Sequence, residues 1–221
     1  MTICCRAGPC EEMFSPRVAR RTLERYRKKG LDELERKMLV VASAEGLEHA
    51  RVVEIGGGVG AIQTELLQAG AAHGEVIELV AAYEPYARDL ARERGLENRT
   101  SFRVQDVLES TEGVDPAEVV VLNRVVCCSP DGIRLTGVAA GLARQVLLLS
   151  FPRERVGVRV TLRLLNVGMR LMGRSFRVFV HPKASLVAAA EAEGLHSAET
   201  GRGFAWEYIA LRRGADSRAQ A

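Results

Sequence analysis

Residues 52–60 read Val-Val-Glu-Ile-Gly-Gly-Gly-Val-Gly, and a helical pattern follows them from Ala61 to Leu67. An apolar strand thus passes through a glycine-rich turn into a helix. Gly56, Gly58 and Gly60 can adopt positive φ angles and carry no Cβ, so backbone N–H groups at the start of the helix can lie close to a ligand. The stretch predicts a loop that binds a nucleotide cofactor.

The glycines alone leave two cofactor classes open, because Gly56, Gly58 and Ala61 also satisfy the dinucleotide fingerprint G-x-G-x-x-A. Glu54 favours the other class, since a carboxylate at the end of the strand would repel a pyrophosphate and attract a cationic amino group. The pattern Glu-x-Gly-x-Gly-x-Gly resembles the first motif of the class I S-adenosylmethionine (SAM)-dependent methyltransferases. The resemblance implies that a loop of Glu54, Gly56, Gly57, Gly58 and Gly60 holds the methionine end of SAM.

Composition limits the classes of protein that need to be considered. The chain has 221 residues, of which 47% are hydrophobic and 27% charged, and this suits one domain with appendages. We find no signal-peptide pattern and no apolar run near the ~20 residues of a spanning helix, so we expect a soluble, cytoplasmic protein. Five cysteines do not resemble a secreted disulfide framework, and a net charge of +3 gives no reason to expect a nucleic-acid partner.

Apolar runs alternate with helical segments after residue 50, which predicts an α/β fold. We expect a doubly wound, mainly parallel seven-stranded sheet, as in the Rossmann-like methyltransferase fold. The predicted strands are 51–55, 76–80, 101–104, 118–122 and 145–151, followed by a hairpin of 195–200 and 204–212.

The appendages surround this core in one methyltransferase domain, 1–221. We expect a helical cap over 1–45, a SAM-binding core over 46–151, and a basic, partly helical lid insertion over 152–182. A C-terminal helix and hairpin follow over 183–213, and then a disordered tail over 214–221. The family motifs cover only about 46–150, and the order of elements extends the resemblance to 183–213.

Acidic residues follow the second and third strands at positions that suit a nucleoside. Glu78 lies about 20 residues beyond the glycine loop, where a ribose-binding carboxylate is expected. The resemblance places Glu78 on the ribose, Leu79 against the adenine, Asp106 on the exocyclic amine and the Val107 N–H on the ring. Asp106 could equally be a helix N-cap. Asn123, after the fourth strand, is our candidate for contact with the methionine end.

Methyl transfer from a sulfonium is an in-line displacement that needs alignment and desolvation more than a particular catalytic side chain. His181 is a candidate general base for a hydroxyl or carboxylic acceptor. Cys127 and Cys128 lie where the acceptor should arrive and could bind a soft metal or metalloid together with three N-terminal cysteines, Cys4, Cys5 and Cys10. The alternative for Cys127 and Cys128 is that buried thiols act as small hydrophobic side chains.

Tyr26, Arg124 and Arg153 are the candidates for substrate contact. The insertion 152–182 interleaves apolar residues with arginines, and three interpretations are open. It could be a lid that selects anionic or large apolar substrates, a helix that makes transient contact with a membrane surface, or a solvated surface with an apolar underside. We favour the lid, because insertions after the fifth strand fall beside the substrate pocket in this architecture.

The expected function is SAM-dependent methylation of a small molecule, most plausibly at oxygen. The segment after the fourth strand lacks the Asn/Asp-Pro-Pro-aromatic pattern of enzymes that methylate bases or glutamine. Three alternatives are methylation of a thiol or metalloid acceptor through the cysteines, a non-catalytic SAM- or nucleotide-binding protein that docks a partner through its basic surfaces, and a nicotinamide-dependent oxidoreductase. No resident metal is expected.

Overall fold

The computed structural model describes residues 7–214, and seven strands within this range form one sheet. They are β1 (Arg51–Ile55), β2 (His73–Glu78), β3 (Thr100–Val104), β4 (Ala117–Asn123), β5 (Ala143–Pro152), β6 (Leu195–Arg202) and β7 (Trp206–Arg213). The order is β3-β2-β1-β4-β5-β7-β6, and β7 is antiparallel to both of its neighbours while the other pairs are parallel. The predicted fold class and the C-terminal hairpin are confirmed.

Eight α-helices in the described range surround the sheet: α1 (Ala7–Met13), α2 (Pro16–Lys29), α3 (Glu33–Ser43), α4 (Ala61–Gln68), α5 (Glu84–Glu93), α6 (Gly132–Leu142), α7 (Val156–Leu171) and α8 (Lys183–Glu191). Short 3₁₀ turns occur at Ala81–Tyr83, Glu97–Arg99 and Val126–Cys128. The sequence interpretation did not include α1. Cys4, Cys5 and residues 215–221 lie outside the described residues.

Both faces of the sheet are buried, which explains why its central strands are continuously apolar. Side chains alternate between the faces along a strand. Val119 and Val121 therefore join the core formed with α2–α5, whereas Val120 and Leu122 join the core formed with α6 and α8. All four side chains are completely buried. A parallel sheet covered on both faces is the arrangement that such runs favour.

Strand β2 begins and ends earlier than the predicted 76–80 because two acids have specific partners. Glu75 is buried, but its carboxylate accepts hydrogen bonds from Arg51 Nη2 at 2.9 Å and from Arg103 Nε at 2.8 Å. At the other end, Glu78 accepts from the backbone N–H groups of Leu79 and Val80. Glu78 is thus the last residue of β2, at the carboxyl edge of the sheet.

The N-terminal helices are attached near this same edge by polar contacts. The capping box of α3 joins Asp32 and Glu35, and the second oxygen of Glu35 accepts from Asn123 Nδ2 at 3.0 Å. The Tyr26 hydroxyl of α2 donates to Glu65 Oε1 of α4 at 2.6 Å. The arginines and lysines of α2 are exposed to solvent.

The insertion after β5 consists of α7 and a segment, 172–182, that returns to the body of the protein. We call residues 172–182 the return segment. Phe176 in this segment is buried and makes an edge contact with Phe14, with ring centroids 5.5 Å apart. Met169 is the buried residue of α7. Among residues 7–214, none of the helices combines the length and apolar content needed to cross a bilayer.

Candidate active site

The loop between β1 and α4 requires glycine for two reasons. Gly56, Gly58 and Gly60 have φ angles of 65°, 58° and 73°, in the left-handed region that favours glycine. Neighbouring side chains also crowd the loop: a Cβ at Gly56 would lie 2.5 Å from Val125 Cγ2, and one at Gly58 would lie 3.1 Å from Tyr83 Cε1. The segments after β4 and β2 therefore press against the loop from both sides.

Glu54 supports this loop from behind. Its side chain is buried, and its Oε2 accepts from the Gln63 N–H in the first turn of α4 at 3.0 Å. A Cβ at Gly57 would lie only 2.7 Å from Glu54 Cδ, so the carboxylate lies directly beneath the loop. Burial raises the pKa of Glu54 to about 8. The carboxylate is thus turned toward α4, and its direct contact with a cationic amino group stays a prediction.

Glu78 also contacts the glycine loop, and it lines the cleft beside that loop. Its Oε2 accepts from the Gly58 N–H at 3.0 Å, and its Oε1 accepts from the N–H groups of Leu79 at 2.8 Å and Val80 at 3.3 Å. Burial raises the pKa of Glu78, and the three N–H donors act in the opposite direction. A carboxylate has about four acceptor sites. One acceptor site therefore remains for a hydroxyl group of a ligand.

Asp106 is not a helix N-cap, because residues 107–109 form a turn, and its contact with an adenine stays a prediction. Its Oδ1 accepts from the Leu108 N–H at 2.8 Å and stabilises the turn after β3. Within residues 7–214, its Oδ2 accepts no hydrogen bond, and Asp106 lines the same cleft as Glu78. The turn thus fixes one carboxylate oxygen and leaves the other available to a donor on a ligand.

The cleft lies at the carboxyl ends of the central strands and has a volume of about 1080 Å³ including its open mouth. The predicted cofactor residues that line it are Gly56, Gly57, Gly58, Glu78, Leu79, Asp106, Val107 and Asn123. Gly60 lies outside this lining and forms the N-cap of α4.

Asn123 and Arg124 also hold the cap. Asn123 Oδ1 accepts from Ser150 Oγ at 2.7 Å, while its Nδ2 donates to Glu35. Arg124 has a φ of 60°, and its guanidinium group contacts Asp32 and lies over the Trp206 ring at 5.2 Å. We call Asp32, Glu35, Asn123, Arg124 and Ser150 the cap clasp. The side chain of Asn123 is thus bound on both sides, although the residue lines the cleft.

Three other predicted residues are not among those that line the cleft. Tyr26 faces α4 because it shares the buried side of α2 with Ala19 and Leu23. Arg153 donates from Nη1 to the Gly203 carbonyl at 3.1 Å, in the turn between β6 and β7. His181 has its Nε2 2.9 Å from the Ser129 carbonyl oxygen. The side chains of Tyr26 and Arg153 are thus engaged outside the cleft lining, and their contact with a substrate stays a prediction.

The cysteines divide between the core and the cleft. Cys127 is buried with its Sγ 3.4 Å from the Arg124 carbonyl oxygen, whereas Cys128 lines the cleft, as does Cys10 from α1. Residues 7–214 contain no group of three or more His, Cys, Asp or Glu side chains placed to hold a metal ion. The structure therefore gives Cys127 the role of a small hydrophobic side chain with a sulfur–carbonyl contact.

The sequence interpretation missed the residues by which the cap and the β2–α5 connection complete the cleft. Phe14 and Thr22 line it from the cap, and Tyr83 lines it from the turn after β2. Tyr83 is buried beside Gly58, and burial raises its pKa to about 12. Its aromatic ring, five residues after Glu78 in a strand-to-helix connection, was the available signal.

Solved structures resemble this architecture over nearly the whole chain. No protein-family model and no curated protein sequence matches it. Magnesium protoporphyrin IX methyltransferase (ChlM) from Synechocystis PCC 6803, crystallised with bound SAH (S-adenosylhomocysteine), is 19% identical, with a TM-score of 0.73 over 95% of this chain and 100% of that chain. The chain has the class I SAM-dependent methyltransferase fold.

Two further structures share this methyltransferase fold. An O-methyltransferase family protein from Burkholderia thailandensis is 21% identical, with a TM-score of 0.67 over 92% of this chain and 63% of that chain. Mitomycin 7-O-methyltransferase MmcR is 22% identical, with a TM-score of 0.63 over 93% of this chain and 60% of that chain. The present chain thus spans less than two thirds of each of these two proteins.

The buried carboxyl of Glu54 predicts a pH dependence of stability. Its folded-state pKa of about 8 lies above the ordinary value of 4.5, so the folded protein keeps a proton that the unfolded chain loses between these values. This group should lower the free energy of unfolding by up to about 1.4 kcal/mol per pH unit as the pH rises through that range. Glu54→Gln should remove this dependence, as measured by urea unfolding.

Glu48→Gln, which changes a side chain that is 91% exposed, is the matched control and should leave the pH dependence unchanged. Parallel profiles for the wild type and Glu54→Gln across the window would show that Glu54 is ionised in the folded protein.

Proposed function

We propose that the protein transfers a methyl group from SAM to a hydroxyl group of a small, largely apolar molecule. One observation carries this proposal: the glycine loop, Glu78 and Asp106 meet in a single cleft at the carboxyl ends of the strands. Ligands bind at this position in open α/β sheets. The methyltransferase fold of the chain supports SAM as the ligand.

The lining residues suit the three parts of SAM. Gly56, Gly57 and Gly58 would lie against the methionine end, where no side chain obstructs the backbone. The remaining acceptor site of Glu78 would take a ribose hydroxyl, and Asp106 Oδ2 would accept from the adenine amine. Both acids are fixed by backbone N–H donors before a ligand arrives, which reduces the ordering that binding requires.

When bound, SAM supplies an electrophilic methyl group. The chain would have to align the acceptor and exclude water, and the cap would contribute to both. Phe14 of the cap lines the cleft, and Phe176 of the return segment packs against its ring. His181 would contribute a general base only if the acceptor reached the region of Ser129, and Cys127 and Cys128 need not take part in the chemistry.

An apolar acceptor is favoured over an anionic one because the two arginines predicted to contact substrate, Arg124 and Arg153, already have partners. The Arg124 guanidinium contacts Asp32, and that of Arg153 donates to the Gly203 carbonyl. Phe14, Tyr83 and Leu135 contribute apolar surface to the cleft. Oxygen as the methylated atom is supported by two similar structures whose proteins are O-methyltransferases by description.

Asp106→Asn tests the cofactor assignment. The substitution keeps the oxygen that accepts from Leu108 and replaces the other oxygen with an NH₂ group, which cannot accept from the adenine amine. We expect the affinity for SAH, measured by isothermal titration calorimetry, to fall by about tenfold or more. Glu109→Gln changes an exposed carboxylate three residues away and should leave the affinity unchanged. Equal affinities for the wild type and Asp106→Asn would remove Asp106 from the site.

The choice of acceptor atom can be tested with matched compounds. A phenol, an aniline and a thiophenol that share one apolar scaffold should be incubated with SAM and the wild-type enzyme, and methylated products identified by mass spectrometry. We expect the phenol to be methylated most rapidly. Faster methylation of the thiophenol would instead support a soft acceptor, and only N-methylated product would contradict assignment to oxygen.

A further inference from the structure

One side of helix α7 packs against the body of the protein, and another side exposes a stripe of apolar residues to solvent. The attached side carries Met169, which is 3% exposed, and Asn166, which exchanges two hydrogen bonds with the backbone of Val178 at 2.7 and 2.9 Å. The exposed stripe recurs at positions i, i+4, i+8, i+11 and i+15, which share one face of a helix. It consists of Val156, Val160, Leu164, Val167 and Leu171, with exposures of 77%, 46%, 66%, 54% and 83%.

Basic residues flank this stripe. Helical geometry places Arg159, Arg163 and Arg170 between the stripe and the attached side. The sequence from 155 to 190 contains no Asp or Glu. Arg155 and these three arginines are exposed and form no ion pair with the residues that the structure describes. The surface therefore combines uncompensated positive charge with a continuous apolar face.

A lid over the active site does not account for the stripe. None of the residues that line the cleft belongs to the insertion 152–182, which the structure describes in full. The return segment packs beside the cleft: Phe176 contacts Phe14, and the Phe179 N–H donates to the Cys127 carbonyl at 2.7 Å. The stripe of α7 lies on a different side from Asn166 and Met169, which attach the helix to the body. It is thus directed away from the protein that the helix covers.

A second copy of the chain is also poorly suited to the stripe as a binding partner, for electrostatic reasons. A two-fold symmetric contact would place the stripe of each copy against the other and bring the same arginines together. Like charges at an interface oppose association. The occupant should instead be apolar in its interior and negatively charged at its surface.

We propose that α7 docks on an anionic lipid surface. The stripe would enter the boundary between headgroups and acyl chains, and the arginines would lie at the level of the phosphates. The 16 residues of α7 and its arginines suit a helix that lies in the plane of the interface. Docking in this way does not depend on methyl transfer, so the two proposals can fail independently.

Vesicle flotation of the full chain tests the proposal. We expect binding to vesicles of phosphatidylcholine and phosphatidylglycerol in equal parts, little binding to phosphatidylcholine alone, and release by high salt. Leu164→Glu should weaken binding to the anionic vesicles by at least about tenfold, because it replaces an inserted apolar side chain with a carboxylate. Arg163→Glu should weaken it as well.

Val40→Glu is the matched control, because Val40 is 69% exposed on α3 and does not belong to the stripe. It should bind vesicles like the wild type, and circular dichroism should show that all variants are folded. Failure of the wild type to bind anionic vesicles at low salt would overturn the proposal. Equal loss in Val40→Glu, or lipid-free dimerisation that Leu164→Glu abolishes, would also overturn it, and the dimerisation would assign the stripe to a second copy.

Discussion

The hydrogen bond from the Gly58 N–H to the half-buried carboxylate of Glu78 is the contact on which the site depends. It ties the loop after β1 to the end of β2, while Val125 closes on Gly56 from the end of β4. The loop is thereby confined between two neighbouring strands, and Glu54 fixes the start of α4 behind it. Because no side chain can occupy positions 56–58 without displacing a neighbour, the loop presents bare backbone to the cleft.

The cap clasp extends this arrangement to the N-terminal helices. Glu35 caps α3 with one oxygen and accepts from Asn123 with the other, and Ser150 links Asn123 to β5. The end of β4 therefore positions both the cleft and its cover. The proposed reaction would take place at this edge, and the cap would limit the space that remains for an acceptor. The outward stripe of α7 contributes neither to the cleft nor to the cap, and we therefore propose that it binds a lipid surface.

The sequence was sufficient for the fold because periodicity and glycine placement are local signals. β1 has the predicted bounds, whereas β2 was displaced because Glu75 breaks its apolar run and is neutralised only by distant arginines. Glu78 and Asp106 could be placed at the cleft from the sequence, because each lies at the end of a predicted strand. The directions of individual side chains could not be predicted from the sequence, because they depend on contacts between residues that are distant along the chain. Glu54 points toward α4, and Tyr26 points toward Glu65. The contribution of Phe14 depends on how α1 packs, which no local pattern specifies.

Ligand discrimination by the wild-type protein tests the central claim, that the cleft binds SAM, most directly. The thermal unfolding midpoint should be measured with saturating SAM, SAH, NAD and NADP, because a ligand that binds the folded state raises it by an amount that grows with the logarithm of ligand concentration over Kd. We predict that SAM and SAH raise the midpoint and that the dinucleotides leave it unchanged. Stabilisation by NAD or NADP alone would contradict the assignment and identify the glycine loop as a dinucleotide site.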